Sequence, residues 1–147
     1  MPEFDSTIRF APIPEYPGYI AGSDGTIWST RPINGKGHLN QKPRLMKGNL
    51  GGEGYLRLSI TQGSRDSAVC RFVHLLVMYA FIGPKPEGME ARHLNGVKTD
   101  NRIENLVWGT HVENMADQYL HGTRRLGVES PHAKLNEAKI QSIRKLF

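Results

Sequence analysis

Four consecutive residues, Thr110-His111-Val112-Glu113, constrain the fold more than any other stretch. A threonine followed three positions on by a glutamate is a capping box. The hydroxyl takes one of the free amides of a helical first turn, and the carboxylate returns to the amide of the threonine. A helix therefore begins here, and Gly122 after His121 supplies its stop, because glycine tolerates the left-handed backbone that closes a helix. Directly upstream, Leu106-Val107-Trp108-Gly109 is a short apolar run suited to a buried strand. Before it, Glu90-Ala91-Arg92-His93-Leu94 is extended, Asn95-Gly96 signals a turn, and Val97 to Asn105 is a polar loop. Residues 90–122 thus predict strand, loop, strand and helix in one compact unit.

The upstream half reads as a small sheet followed by a helix. Two short apolar strands flank Asp24-Gly25 within Tyr16 to Ser29, which predicts a hairpin. Residues 31–54 are rich in Gly, Asn, Lys and Pro and hold no period. Tyr55 to Ile60 then alternates at period two, so Leu56, Leu58 and Ile60 should face inward. A Gly63-Ser64 turn and an extended run from Ala68 to Val73 complete an antiparallel pair, and His74 to Phe81 predicts a compact helix ended by Gly83-Pro84. Beyond Gly122, a polar linker to Pro131 leads to a short helix capped by Asn136, with Ile140, Ile143 and Phe147 on one stripe. The fold class expected is α+β, with three parts: a β-rich module over 1–71, a core with its lead-in helix over 72–122, and a basic tail over 123–147.

Charge and composition narrow the function. Residues 1–71 carry 9 basic and 6 acidic side chains, 72–123 carry 4 and 6, and 124–147 carry 6 and 2, so the net charge of +5 sits on the flanks. That distribution suits flanks that hold a polyanion around a centre that binds a cation. The single cysteine, Cys70, excludes a disulfide framework and any CxxC zinc site, and it fits a reducing compartment. The apolar stretch from Phe72 to Ile82 falls well short of the roughly 20 residues a spanning helix needs, and the first residues lack the pattern of a secretory signal. The expectation is a soluble protein acting in the cytoplasm, without a membrane partner.

Chemistry concentrates in the strand-loop-strand-helix block. His93 closes its first strand, and Asn114, Asp117 and His121 fall at i, i+3 and i+7 of its helix, hence on one face. A histidine beside oxygen ligands on a hairpin and helix matches the needs of metal-assisted phosphodiester cleavage: a base for water and a hard cation for the leaving oxygen. His74 reads as a hydrogen-bonded core histidine, and Trp28 and Trp108 as core aromatics. Arg124, Arg125, Lys134, Lys139, Arg144 and Lys145 form a basic tail suited to contact with DNA phosphates.

The run Arg92-His93-Leu94-Asn95-Gly96, then Thr99 to Thr110 through Asp100-Asn101-Arg102 and Glu104-Asn105-Leu106, then Glu113-Asn114, Asp117 and His121-Gly122, closely resembles HNH endonucleases of the homing and phage type. It is similar to their ββα-metal, or His-Me finger, unit. Val73 to Ile82 resembles the helix leading into that unit, Tyr16 to Ser29 a module common at the N-terminus of such nucleases, and Ala133 to Arg144 the opening of their helix-turn-helix tails.

This resemblance implies a metal-dependent endonuclease on double-stranded DNA, with Mg²⁺ or Mn²⁺ as cofactor. It makes His93 the general base, Asn114 a metal ligand, and Asn105 the brace of the loop that orients His93. The family usually places an Asp or Asn ligand directly before the histidine, where this chain has Arg92. An arginine cannot coordinate a cation. The site then relies on Asn114 with substrate and water oxygens, or adds a carboxylate from Asp117, or an imidazole from His121; Arg92 could instead clamp the scissile phosphate. Cleavage would leave 5′-phosphate and 3′-hydroxyl ends. The alternative is a DNA-binding protein that keeps the fold without the catalysis.

Overall fold

A computed structural model describes residues 7–32, 42–61 and 67–123, and the elements below lie within those ranges. The described residues form an α+β fold of short antiparallel sheets and two α-helices. The first sheet holds β1 (Phe10–Pro12), β2 (Tyr19–Gly22), β3 (Ile27–Ser29) and β4 (Arg44–Leu45) in sequence order. The hairpin expected around Asp24-Gly25 is β2–β3, with Ile20 opposite Trp28. Its turn is closed by Asp24, whose Oδ1 accepts from both the amide and the hydroxyl of Thr26.

The second sheet holds β5 (Asn49–Leu50), β6 (Leu56–Thr61) and β7 (Ala68–Phe72). The alternation in β6 turns Leu58 and Ile60 into the core and leaves Leu56 half-buried and Ser59 exposed. The chain passes from β7 directly into α1 (Val73–Phe81), one residue earlier than the sequence suggests. That helix is apolar nearly all round, and Leu76, Val77 and Met78 are fully buried against both sheets. Each such side chain contributes roughly 1.5–3 kcal/mol by leaving water.

The third sheet is the hairpin of β8 (Met89–His93) and β9 (Leu106–Thr110), with His93 opposite Leu106 and Arg92 opposite Val107. The loop between them ends in a 3₁₀ turn over Ile103–Asn105. Then α2 (His111–Leu120) starts with the capping box in full: Thr110 Oγ1 accepts from the amide of Glu113, and the Glu113 carboxylate accepts from the amide of Thr110. Gly122 lies at φ +63°, as a helix stop requires. Leu106 is buried in the common core, where Ala91, Ile103 and Trp108 pack against it, so this unit rests on α1. No described helix is long and apolar enough to cross a membrane. The Gly63-Ser64 turn and the C-terminal helix expected from Asn136 lie outside the described residues.

Candidate active site

His93 is the last residue of β8 and is buried, with its ring 5.1 Å edge-on from that of His74 and 5.8 Å from that of Tyr55. Its Nε2 lies 3.2 Å from Oδ1 of Asn101. Because an amide oxygen only accepts, Nε2 carries the proton and Nδ1 keeps its lone pair. Burial pushes the His93 pKa down, as does the positive charge of Lys98, while the Asn101 bond and the Asp100 charge oppose that shift. The ring is therefore held as a neutral imidazole in a fixed tautomer, the state a general base needs.

The loop that presents Asn101 is fixed from two sides. From within, buried Asn105 accepts from the amide of Asn95 through Oδ1 and donates through Nδ2 to Asn95 Oδ1 and to the carbonyl of Asp100. Its own carbonyl accepts from the amide of Leu94, next to His93. From outside, the β2–β3 turn presses on the loop. A Cβ on Gly25, at φ +87°, would stand 2.7 Å from the carbonyl carbon of Asn101, so only glycine lets the backbones approach this closely. The amide of Ile103 also donates to the carbonyl of Ser23 at 3.0 Å. Asp100 is tied to Arg102 by a two-pronged ion pair, which holds its carboxyl far below the usual range.

On the other strand position, Arg92 reaches α2. Its Nε and Nη2 donate to the two oxygens of Asp117 at 2.8 and 3.0 Å, and Nη1 lies 3.4 Å from Glu113. The side chains of Arg92 and Asp117 are 13% and 17% exposed, so this pair is partly desolvated and worth more than an open surface pair. Gly109 provides the room: a Cβ there would meet Arg92 Cδ at 2.4 Å. Asp117, its acidity strengthened by the Arg92 bonds, lines a cleft of about 220 Å³ together with His93, Asn114, Lys98, Tyr55 and His121. Asn114 donates its amide to Glu90 at 2.6 Å, which leaves Oδ1 as its unused acceptor. His121 donates from Nε2 to the carbonyl of Leu94, so that nitrogen is not a metal donor.

The structure thus brings His93, Asn114, Asp117 and His121 to one cleft and puts Asn105 beneath it, as the sequence suggests. Arg92 stands beside the cleft in an ion pair rather than open toward it. Arg124, Arg125, Lys134, Lys139, Arg144 and Lys145 lie outside the described residues. Sequence reasoning missed Asn101, Tyr55 and Lys98, although Asp100-Asn101-Arg102 beside Asn105 was the available signal for the first.

Among the described residues no group of three His, Cys, Asp or Glu side chains forms a metal cage. The cleft instead offers oxygen from Asn114 and Asp117 on one helical wall. Mg²⁺ and Mn²⁺ are bound in that manner, by one or two protein oxygens with phosphate and water completing the shell, so the donors fit such an ion in an open site.

A buried histidine at the end of a hairpin strand thus shares one cleft with oxygen donors on the helix that follows, an arrangement similar to the ββα nuclease unit that the sequence resembles. Comparison with known proteins agrees: residues 71–116 match the family described as HNH endonuclease. The chain is 28% identical over 121 residues to the DNA endonuclease I-HmuI of Bacillus phage SP01, a match covering 82% of this chain and 63% of that protein. The solved structure of DNA binding and cleavage by the HNH homing endonuclease I-HmuI aligns with a TM-score of 0.60 at 26% identity, over 93% of this chain and 66% of that one. In both comparisons the chain spans just under two thirds of the length of that relative. The resemblance read from the Arg92 to Gly122 block is borne out.

Proposed function

We propose that the chain is a metal-dependent DNA endonuclease of the HNH type that hydrolyses phosphodiester bonds in double-stranded DNA. The observation that carries this reading is the His93–Asn101 pair at the edge of a cleft whose opposite wall is Asn114 and Asp117. The kinship to a phage DNA endonuclease supports DNA as substrate and the bacterial cytoplasm as the place of action.

His93 takes a proton from the attacking water at Nδ1, while Asn101 keeps Nε2 protonated and the ring oriented. Asn105 holds the loop so that the Asn101 oxygen stays in place during the transfer. Asn114 Oδ1 and Asp117 would hold a Mg²⁺ or Mn²⁺ ion, which when bound supplies positive charge for the phosphate and the departing 3′ oxygen. Arg92 keeps Asp117 ionised and fixed on β8, and by sharing its carboxylate makes the protein's own grip on a cation weak. The basic cluster from Arg124 to Lys145 contributes DNA-phosphate contacts in this reading.

Incubation of supercoiled plasmid with the protein and Mg²⁺ or Mn²⁺ is the test. Nicked or linear DNA is expected, and both EDTA and His93→Ala should abolish it. Unchanged plasmid alongside a retained gel shift would overturn catalysis and leave a DNA-binding protein with an HNH fold.

A further inference from the structure

One cation in the cleft has its charge unanswered. Lys98 leaves the β8–β9 loop, is exposed, and lines the cleft with His93. Its Nζ donates to the main-chain carbonyl of Glu53 at 2.8 Å and lies 4.8 Å from the centre of the Tyr55 ring. Both partners come from the turn between β5 and β6, which is 45 residues away in sequence for Glu53. A carbonyl dipole and a ring face orient an ammonium group without neutralising it. The neighbouring arginines are committed elsewhere: Arg92 to Asp117, Arg102 to Asp100 and Arg57 to Glu53. None of the ion pairs among the described residues includes Lys98.

The arrangement has the form of an anion seat. One N–H of the ammonium is used on Glu53, and the remaining donors are free to meet an oxygen entering the cleft. The Tyr55 ring is shared, since it also packs 5.8 Å from the His93 ring, so the base and the cation are held against the same aromatic plate. A compact ammonium on a tethered stem suits a single non-bridging phosphate oxygen better than a bidentate partner.

We propose that Lys98 is a substrate-binding residue, whose ammonium takes a non-bridging oxygen of a DNA phosphate in the cleft beside His93, with Glu53 and Tyr55 of the β5–β6 turn as its positioning groups. This rests on the nuclease reading above. It gives the upstream sheet a role at the phosphate itself, and it adds to the cleft a phosphate contact separate from the cation-holding wall of α2.

The test uses the full chain as wild type, Lys98→Met and Lys98→Arg. Binding to a mixed-sequence DNA duplex is measured in EDTA across a salt series, and plasmid cleavage with Mn²⁺ is measured in parallel. Each phosphate contact contributes about 0.9 to the slope of log affinity against log salt. Lys98→Met should therefore flatten the slope by about that amount and slow cleavage by about tenfold or more, the loss expected for one charged hydrogen bond. Lys98→Arg should restore the slope. Wild-type protein that binds and cleaves while Lys98→Met shows the same slope and rate overturns the Lys98 assignment alone. Wild-type protein that fails to bind duplex overturns the DNA reading and the phosphate contact with it. Thermal melts accompany each variant, and if Lys98→Met is unfolded, Lys98→Gln replaces it against the same criteria.

Discussion

The scaffold formed by the described residues from 13 to 81 and the β8–β9–α2 unit are held together by different physics. Of the 12 buried hydrophobic residues among those described, 11 lie in the scaffold, and Leu106 alone belongs to the unit that carries the cleft. Nothing on α2 is buried. What the unit buries instead is polar: His93, Asn101 and Asn105, each hydrogen-bonded. Apolar burial is strong but gives little directional control, whereas hydrogen bonds and ion pairs contribute less net free energy and set angles. The molecule therefore draws its stability from one region and orients the polar groups of the cleft with the other, and the two meet, among other places, at Leu106 and where Gly25 presses on Asn101.

The largest effect that sharpens this contrast belongs to the scaffold. Leu76→Ala removes a fully buried side chain at the centre of α1 and should cost about 2–5 kcal/mol of stability. Chemical denaturation reads it directly. Below the unfolding transition the variant should keep the cleavage rate of wild type per folded molecule; unchanged stability with lost activity would reverse the assignment of roles.

His74 lies where the regions touch, and pH probes it. Burial, and then the nearby His93, push its pKa from the ordinary 6.5 down to about 4. The unfolded chain takes up this proton near pH 6.5, while the folded chain resists until about pH 4. Unfolded protein thus binds more protons in that window, so the stability from neutral His74 is complete above 6.5 and declines as pH falls, by about 3 kcal/mol at the lower limit. His93, shifted the same way, adds to the decline. His74→Phe, which keeps a ring against Phe72 and Tyr55, should flatten stability against pH over this range. An equally steep acid loss in that variant would move the proton uptake elsewhere.

Smaller again is Asn105→Ala. It leaves the amide of Asn95 and the carbonyl of Asp100 without their partners, at about 1–3 kcal/mol. Its distinguishing mark is kinetic: kcat should fall while DNA affinity holds, because in the proposed mechanism Asn105 braces the loop beside His93 and makes no contact with substrate. Loss of DNA affinity with kcat intact would contradict a bracing role.

Legibility in the sequence followed the same divide. Local signals announced the elements they belong to: the capping box placed the start of α2, alternation in β6 assigned Leu58 and Ile60 to the core, and Asp24-Gly25 marked the first hairpin. The strands β1, β4 and β5, two or three residues each, were not legible, because pairing with a neighbour rather than local pattern makes them strands. At the site, His93, Asn105 and Asn114 could be named from one contiguous block. The Arg92–Asp117 pair spans 25 residues and the Lys98–Glu53 contact 45, and no period in the chain links such positions. Arg92 was visible as an unusual residue; the carboxylate it answers was not.

The smallest effect probes the cap from which the fold could first be read. Thr110→Ala removes the hydroxyl that accepts from the amide of Glu113 and should cost about 1 kcal/mol. The Glu113 carboxylate still receives the amide of residue 110 and still lies 3.4 Å from Arg92, so the first turn should loosen rather than dissolve. Because α2 has no buried residue of its own, polar restraints fix it on the hairpin: this turn, the Arg92–Asp117 pair, and the bonds of Asn114 to Glu90 and of His121 to Leu94. A double-mutant cycle of Thr110→Ala with Arg92→Gln measures whether the two restraints act together. A coupling of about 0.5 kcal/mol or more is expected, since Glu113 takes part in both. Strict additivity would show that these two restraints act independently, and that the polar unit is less cooperative than the apolar scaffold beneath it.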